Sequence, residues 1–428
     1  MNGVAKLTEF TFEHAVRALA GVLPAGAAAD RGLSTYFRSQ PKLGSADRGV
    51  IAETVYAVLR NRRSLAASVG SEYPRELALA ALVRVRGMNL RQLEHVLRAG
   101  EADLVARAKA FSLDTAAAAV RHDLPDWLWA RLVEGRGEVG ARALARALQG
   151  SAPLDLRVNS VKSTRGEVLA RLAAEGFDAR ATPLSPLGIR LTGKPALQRH
   201  PLFLDGTIEV QDEGSQLLAE LLEPRRGEMV ADFCAGAGGK TLALGALMRS
   251  TGRLYAFDVS AARLARLKPR LARSGLSNVH PLRIESENDI RVKRLAGKFD
   301  RVLVDAPCTG LGTLRRNPEL KWRQSENDVT QLAAKQSAIL EAAARLVKPG
   351  GRLVYATCSL LAEENQDVLA RFLDGHAEFA VRDACEVLSG RGIRLASAAA
   401  PAHELLPHVH GTDGFFAAVL ERNPERHS

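Results

Sequence analysis

The sequence predicts an α/β fold built on a mainly parallel sheet and preceded by an all-α region. Three observations predict it. From about residue 205 onward, short apolar runs alternate with helical patterns: "EMVADF", "GRLYAFD", "NVHPLRI", "FDRVLVD", "GRLVYAT" and "DGFFAAVLE". Strands separated by helices in this way pair in parallel, with the helices as crossovers. From about residue 7 to 149, amphipathic Ala- and Leu-rich stretches follow one another with no β-alternating segment between them. Between these regions lies a short stretch of mixed texture.

The chain has 428 residues, enough for two or three domains with cores of their own. Its hydrophobic fraction of 46% and charged fraction of 25% are those of an ordinary globular protein. No run of eighteen or more apolar residues occurs, so no membrane span is expected. The opening stretch "MNGVAKLTEFTFEHAVRALAGVLPAG" carries Glu9, Glu13 and Arg17 where a signal peptide needs an uncharged centre. A first helix and a cytoplasmic protein are the expectation. The four cysteines, Cys234, Cys308, Cys358 and Cys385, form no C-x-x-C pair. Neither a zinc site nor a disulfide framework is therefore expected, and no metal. The net charge of +11 is spread along the chain and suits a polyanionic partner. On charge alone, a basic surface that serves only solubility is an equal reading.

In the first region, "ADRGVIAETVYAVLRNRRSL" places Val50, Ile51, Val55, Val58 and Leu59 on one helical face. "PRELALAALVRVRG", "LRQLEHVLRAG", "PDWLWARLVEGRG" and "GARALARALQG" follow, several ending on Gly as helices tend to. Residues 1–149 are read as an all-α domain, with Trp127 and Trp129 in its core. Residues 150–205 are read as an α+β connecting subdomain. They hold a strand in "LDLRVN", a helix in "TRGEVLARLAAEG" and strands in "DARATPL" and "GIRLTG". Residues 206–428 form the parallel-sheet domain, with crossover helices in "GKTLALGALMRS", "SAARLARLKPRLARSG" and "VTQLAAKQSAILEAAARLVKPGG". Ligands on such sheets bind beyond the carboxyl ends of the strands. Asp232, Asp258, Asp305 and Cys358 fall at or just past those ends.

"VADFCAGAGGKTLAL" reads as a strand, a Gly-rich turn and a helix start. A P-loop would need Gly where Cys234 stands, and a dinucleotide fingerprint would need Gly where Thr241 stands. What remains is a tight turn that lets backbone approach a ligand, next to a helix N-terminus that favours an anionic group. Asp258 ends the next strand, where an acid can accept both ribose hydroxyls of an adenosine. With no pyrophosphate motif, the expected ligand is S-adenosylmethionine (SAM), its carboxylate near the turn and its ribose on Asp258.

Two cysteines follow apolar runs in matching fashion, in "VDAPCTGLGT" and "LVYATCSLLAEEN". Methylating C5 of a pyrimidine needs such chemistry, because that carbon is too weak a nucleophile to attack SAM unaided. A thiolate adding at C6 makes C5 nucleophilic, and a base must then remove the C5 proton so that the thiol can leave. A free thiol, with pKa near 8.5, is only a few per cent thiolate at neutral pH, so its surroundings must help.

"DAPCTGLGTLRRNPELKW" and "YATCSLLAEEN" closely resemble motifs of the RNA cytosine-5 methyltransferases. "GTIEVQDEGSQL" and "GTDGFFAAVLER" are similar to two further segments of that family, and "LDLRVNSVKSTRGEVLARLAAEGF" resembles the subdomain before its catalytic fold. The Gly-rich turn departs from the family's cofactor loop at one place: Gly236-Ala237 stand where Ala-Pro is usual. The N-terminal helices resemble an RNA-binding NusB-type bundle, which points to the bacterial branch acting on 16S ribosomal RNA. The resemblance takes in nearly the whole chain.

The resemblance implies a Rossmann-like, mainly parallel seven-stranded class I SAM-dependent methyltransferase domain behind a NusB-like domain. It implies Cys358 as the nucleophile on C6 and Cys308 as the partner thiol that helps remove the C5 proton and release product. Asp305 would face the target base and cofactor, and Lys240 the methionine carboxylate or the base. Cys234, Ala235, Gly236, Ala237, Gly238, Gly239, Lys240 and Asp258 would hold SAM. A third cofactor contact is expected in "LRIESENDI", at Glu285, with Glu287 and Asp289 as alternatives. Cys385 would be inert, while Trp322 and Arg315-Arg316 would contact RNA. The implied substrate is 16S rRNA, naked or partly assembled, with cytosine 967 as target and no DNA or membrane partner. The rivals are a DNA or tRNA cytosine-5 methyltransferase, for which a DNA enzyme would use Cys308 as nucleophile, and a non-catalytic RNA-binding assembly factor.

Overall fold

Thr8 opens the first helix, Glu9–Val22, by accepting the backbone N–H of Thr11 at 3.1 Å, while the Thr11 hydroxyl accepts that of Thr8. Helix Ser45–Arg60 buries Val50, Ile51, Val55, Val58 and Leu59, the face expected from its spacing. Helix Pro74–Arg84 is buried at every position from Leu77 to Val83, so it forms the centre of the bundle. The long Asp126–Gln149 segment is broken at Gly137, whose φ of +67° no helix can continue. Trp127 and Trp129 are half-buried rather than central, and Trp129 stacks on His122 with ring centres 4.8 Å apart.

This computed structural model describes residues 7–24, 28–395 and 402–424. Positions 1–6 and 25–26 of the opening stretch read above lie outside them. The chain divides into two units, Met1–Ser151 with Thr313–Ser325, and Ala152–Gly312 with Glu326–Ser428. The inclusion of Thr313–Ser325 in the helical unit differs from the continuous third domain expected from sequence. Its side chains account for the difference. Lys321 Nζ donates to the Arg60 carbonyl at 2.8 Å, and Trp322 Nε1 donates to the Leu59 carbonyl at 2.6 Å. Both acceptors belong to the last turn of a helix, where carbonyls lack intrahelical partners. Glu319 accepts the Ala29 N–H at 3.2 Å. Trp322, expected on RNA, thus has its indole N–H engaged inside the helical unit, and Arg315 is buried there.

The second unit begins with a small antiparallel sheet: β1 (Leu154–Val158), β2 (Ala179–Ala181), β3 (Gly188–Leu191) and β4 (Ile208–Val210), in the order β2-β3-β1-β4. Helix Arg165–Ala174, capped by Thr164 and Glu167, lays Val168 and Leu172 on Leu156, Val158 and Ile189. β4 lies past residue 205, so the subdomain's last strand is supplied from beyond its expected end.

The main sheet comprises β5 (Met229–Asp232), β6 (Arg253–Asp258), β7 (Val279–Arg283), β8 (Phe299–Asp305), β9 (Val347–Thr357), β10 (Phe379–Arg382), β11 (His403–Leu405) and β12 (Phe415–Arg422). The order is β10-β12-β9-β8-β5-β6-β7, with β11 pairing β12. β5 to β9 run parallel, while β12 runs antiparallel to β9, β10 and β11. Successive strands step away from β5 on one side and then resume at β8 on the other. The carboxyl ends of β5 and β8 therefore border the crevice where ligands enter such sheets. Among the described residues, no helix is long and apolar enough to cross a membrane.

Candidate active site

A cavity of about 570 Å³ opens at these strand ends, lined by residues of β5, β6 and β8, of the loops after them, and by Cys358 just beyond β9. Its floor is the turn Phe233–Gly238 before helix Gly239–Leu247. Gly238 has φ +85°, and a Cβ there would lie 2.1 Å from Leu267 Cδ1, so only glycine fits. The turn's carbonyls are held from behind. Arg157 of β1 donates to Gly239 O at 2.7 Å, and Arg270 donates to Ala237 O at 2.7 Å. Both arginines are braced in turn, Arg157 by Gln211 and Arg270 by the buried Glu209.

Asp258, at the end of β6, accepts the N–H of Gly236 at 2.8 Å on one oxygen and that of Ser260 at 2.7 Å on the other. Each oxygen keeps a lone pair for a further donor. Asp232, at the end of β5, is 1% exposed and accepts the Thr241 hydroxyl at 2.6 Å. Its second oxygen has no partner among the described residues. Burial, with smaller contributions from Asp305 and Asp258, pushes the Asp232 carboxyl up to about 7. Three acids thus converge on one cavity, and one carries an unmet acceptor.

Lys240 and Asp305 form an ion pair at 2.6 Å. Burial works against the lysine's charge, but Asp305 above all, with Cys358 and Asp232, outweighs it and raises the ammonium's pKa. Beside this pair, the sulfurs of Cys308 and Cys358 lie 3.2 Å apart, and the Cys358 N–H points to Cys308 Sγ at 3.2 Å. The hydrogen bond with Cys358, burial, and the charges of Cys358 and Glu364 hold the Cys308 thiol well above its ordinary pKa. A backbone junction fixes the two loops. Gly312 N–H donates to Cys358 O at 2.8 Å, and Gly414 N–H donates to Gly312 O at 2.8 Å. A Cβ on Gly312 would meet Gly414 O at 2.1 Å.

The family description "16S rRNA methyltransferase RsmB/F" matches residues 219–421, and its ferredoxin-like domain matches residues 124–198. The "Probable ribosomal RNA small subunit methyltransferase B" of Synechocystis sp. is 37% identical over 306 residues, 71% of this chain and 67% of that protein. The chain belongs to the RsmB/F family of 16S rRNA methyltransferases. The "Ribosomal RNA small subunit methyltransferase B" of Yersinia pseudotuberculosis is 36% identical over 69% of this chain and 66% of its own length. Among solved structures, PH0851 superposes with a TM-score of 0.77 at 26% identity, covering 97% of this chain and 99% of that one. A methyltransferase homolog protein from Pyrococcus horikoshii gives 0.62 at 32% identity, covering 71% and 97%. The fold is thus the Rossmann-like one of SAM-dependent methyltransferases, with a helical N-terminal region.

Most of the residues that this RsmB/F chain was expected to use meet in one place. The cavity is lined by Cys234, Ala235, Gly236, Ala237, Gly239, Lys240, Asp258, Asp305, Cys308 and Cys358. Gly238 sits beneath them. Burial raises the Cys234 thiol well above its ordinary pKa, so this sulfur packs rather than reacts. Glu285 stands apart from the others. Its side chain is 70% exposed and pairs with Arg283 at 3.2 Å, outside the cavity lining. Glu287 lines the cavity instead, held by Lys335 at 2.6 Å, while Asp289 caps the short helix Ile290–Lys293. Cys385 lies elsewhere, 3.5 Å from His403 Nδ1, its thiol raised by burial. The sequence places Asp232 at a ligand-binding strand end, closing "VADF", but gives it no role of its own. Arg157 and Arg270 carried no such signal, because their roles depend on tertiary packing. No group of three or more potential metal ligands occurs among the described residues.

Proposed function

We propose that this chain methylates C5 of a cytidine in 16S rRNA, using SAM, through a covalent bond between Cys358 and C6 of the base. The observation that carries the reading is the pair of sulfurs 3.2 Å apart at the edge of the acid-lined cavity.

The cavity's chemistry fits SAM. The ligand is cationic at its sulfonium and amino groups, and the unpartnered oxygen of Asp232 offers an acceptor for the latter. Asp258 has lone pairs left for ribose hydroxyls. Glu287 and the apolar Val259 and Ile284 line the cavity on the same side and suit an adenine. When bound, SAM supplies an electrophilic methyl group.

Cys358 begins the reaction as a thiolate. Its sulfur bonds to C6, and the C5=C6 electron pair shifts toward N3, which makes C5 nucleophilic. The Lys240–Asp305 pair is assigned to that edge of the base, where its ammonium offsets the developing charge. C5 then takes the methyl group as the sulfonium–methyl bond breaks. Cys308, as thiolate, accepts the C5 proton; the C–H electron pair restores C5=C6, and the Cys358–C6 bond breaks to return its thiolate. One proton is released per methyl transferred. Cys308 loses its own proton while Cys358 is bonded to carbon, because the Cys358 hydrogen bond and charge that hold the Cys308 thiol up are then gone.

The target base must leave its stack to reach both sulfurs, so flexible or partly assembled rRNA is the fitting substrate. The family and the relatives' names support small-subunit rRNA as the substrate; RNA binding by the helical unit and cytosine 967 as the target are the finer parts of this proposal, carried by the sequence resemblance alone. The test is a pair of substitutions. Cys358→Ala abolishes transfer of tritiated methyl to rRNA. Cys308→Ala leaves RNA attached to protein as a band that survives a denaturing gel. Equal adduct formation by both variants would reverse or remove the assignment.

A further inference from the structure

We propose that Glu364 is a positioning residue for the thiol pair: its buried carboxylate ties the Cys308 and Cys358 loops together and sets a negative charge beside Cys308, so that the pair's proton rests on Cys308 and Cys358 is left as the nucleophile. The inference rests on the two-thiol reading above and supplies the reason that two like sulfurs play unlike parts.

Glu364 ends a short turn within the second cysteine motif and is 0% exposed. One carboxylate oxygen accepts the Thr309 N–H at 2.9 Å and the Gln336 side-chain amide at 2.9 Å. The other accepts the Thr309 hydroxyl at 2.5 Å and the Ser359 hydroxyl. Thr309 follows Cys308 and Ser359 follows Cys358, so a single side chain grips the residue after each sulfur. A carboxylate has the lone pairs to accept all four of these bonds at once. The Tyr355 hydroxyl fixes the main chain at the same residue, donating to Glu364 O at 2.6 Å.

Charges of both signs act on the pair. The carboxylate of Glu364, bonded to the N–H of the residue after Cys308, adds to the forces disfavouring the Cys308 thiolate. The charge of Cys358, in turn, supports the ammonium of Lys240. With one proton between sulfurs 3.2 Å apart, the anion settles on the side of the cation. That distribution is also the one left at the end of a turnover, when Cys308 holds the C5 proton and Cys358 has just departed as thiolate.

The experiment is iodoacetamide alkylation of the full-length protein without RNA, with each cysteine followed by mass spectrometry across a pH series. In the unaltered protein Cys358 alkylates faster than Cys308. Glu364→Gln removes the charge and keeps the shape; Cys308 alkylation then speeds up by about tenfold near neutral pH, because more of the thiol ionises. Its pH profile moves to lower pH. Glu364→Asp retains the charge and keeps Cys308 slow, and so does Thr309→Val, which removes a hydrogen bond but not the carboxylate. An unchanged Cys308 rate in Glu364→Gln, or equal acceleration in Thr309→Val, overturns the proposal. If thermal melting finds Glu364→Gln unfolded, the other two variants decide: acceleration of Cys308 in either rejects the electrostatic role, and slow Cys308 in both supports it. Alkylation needs no substrate, so this outcome is separate from the fate of the methylation reading, which falls if Cys358→Ala still transfers methyl groups.

Discussion

Lys240 and Lys321 stand one in each unit, both largely enclosed, and their surroundings push their ammonium groups in opposite directions. Lys240 has a side chain 11% exposed and a carboxylate at 2.6 Å, and its pKa is raised. Lys321 is 3% exposed and donates to a carbonyl; burial, aided by Arg60, drives it down to about 7 against the pull of Asp123. Enclosure alone makes a lysine neutral, and a carboxylate in contact reverses the outcome. A cation kept charged against burial has a counter-ion placed for it, as Asp305 is placed for Lys240 at the proposed site. A lysine allowed to go neutral is holding a segment in place.

The largest effect that would break this contrast is on catalysis. Lys240→Met lowers single-turnover methyl transfer by about 10²- to 10³-fold, the usual loss when one charge-stabilising donor is removed. Lys321→Met leaves the rate within about threefold, as expected of a substitution that acts through stability. Comparable losses in both would erase the distinction.

Next comes the acid cluster that Lys240 belongs to. SAM carries positive charge, so it binds best when Asp232 is ionised. Because the free Asp232 carboxyl sits at about 7, SAM affinity measured by calorimetry falls as pH drops below that value, by up to about tenfold per unit. Asp232→Asn weakens binding at neutral pH and flattens the dependence.

A smaller effect concerns stability. The folded pKa of Lys321 lies below the unfolded value of about 10.4, so between about pH 7 and 10 the unfolded chain binds more protons. Stability of the helical unit therefore rises with pH across that window, by no more than about 1.4 kcal/mol per unit. Urea denaturation of Lys321→Met at several pH values should lose this contribution. The smallest effect is Trp322→Phe, which deletes the donor to Leu59 O and costs about 1 kcal/mol with methyl transfer unchanged.

The sequence made much of this readable because strand ends and cysteines carry local signals. All of the apolar runs of the parallel region became strands, and the Gly-rich turn could be recognised from spacing alone. β10 and β11 were missed because they are short, Phe379–Arg382 and His403–Leu405, and take their pairing from β12 rather than from a pattern of their own. Glu285, Glu287 and Asp289 are not told apart by the sequence, because periodicity after β7 cannot say which carboxylate turns inward. Trp322 and Arg315 looked like exposed RNA contacts, since nothing in "TLRRNPELKWRQ" reveals that distant carbonyls of Leu59 and Arg60 await donors there. Glu364 likewise stood unremarked in "LLAEEN", its meaning set by Thr309 some fifty residues earlier in the chain.

The return of Thr313–Ser325 to the helical unit has a practical consequence for dissecting the protein. The two units are interleaved along the chain, so no single cut yields both intact. Deleting everything before residue 152 strips Lys321 and Trp322 of their acceptors and leaves a thirteen-residue excursion stranded directly after the loop that bears Cys308. A catalytic fragment prepared that way needs this excursion replaced by a short polar connector, and grafting the helical unit onto another enzyme needs both pieces of it to travel together.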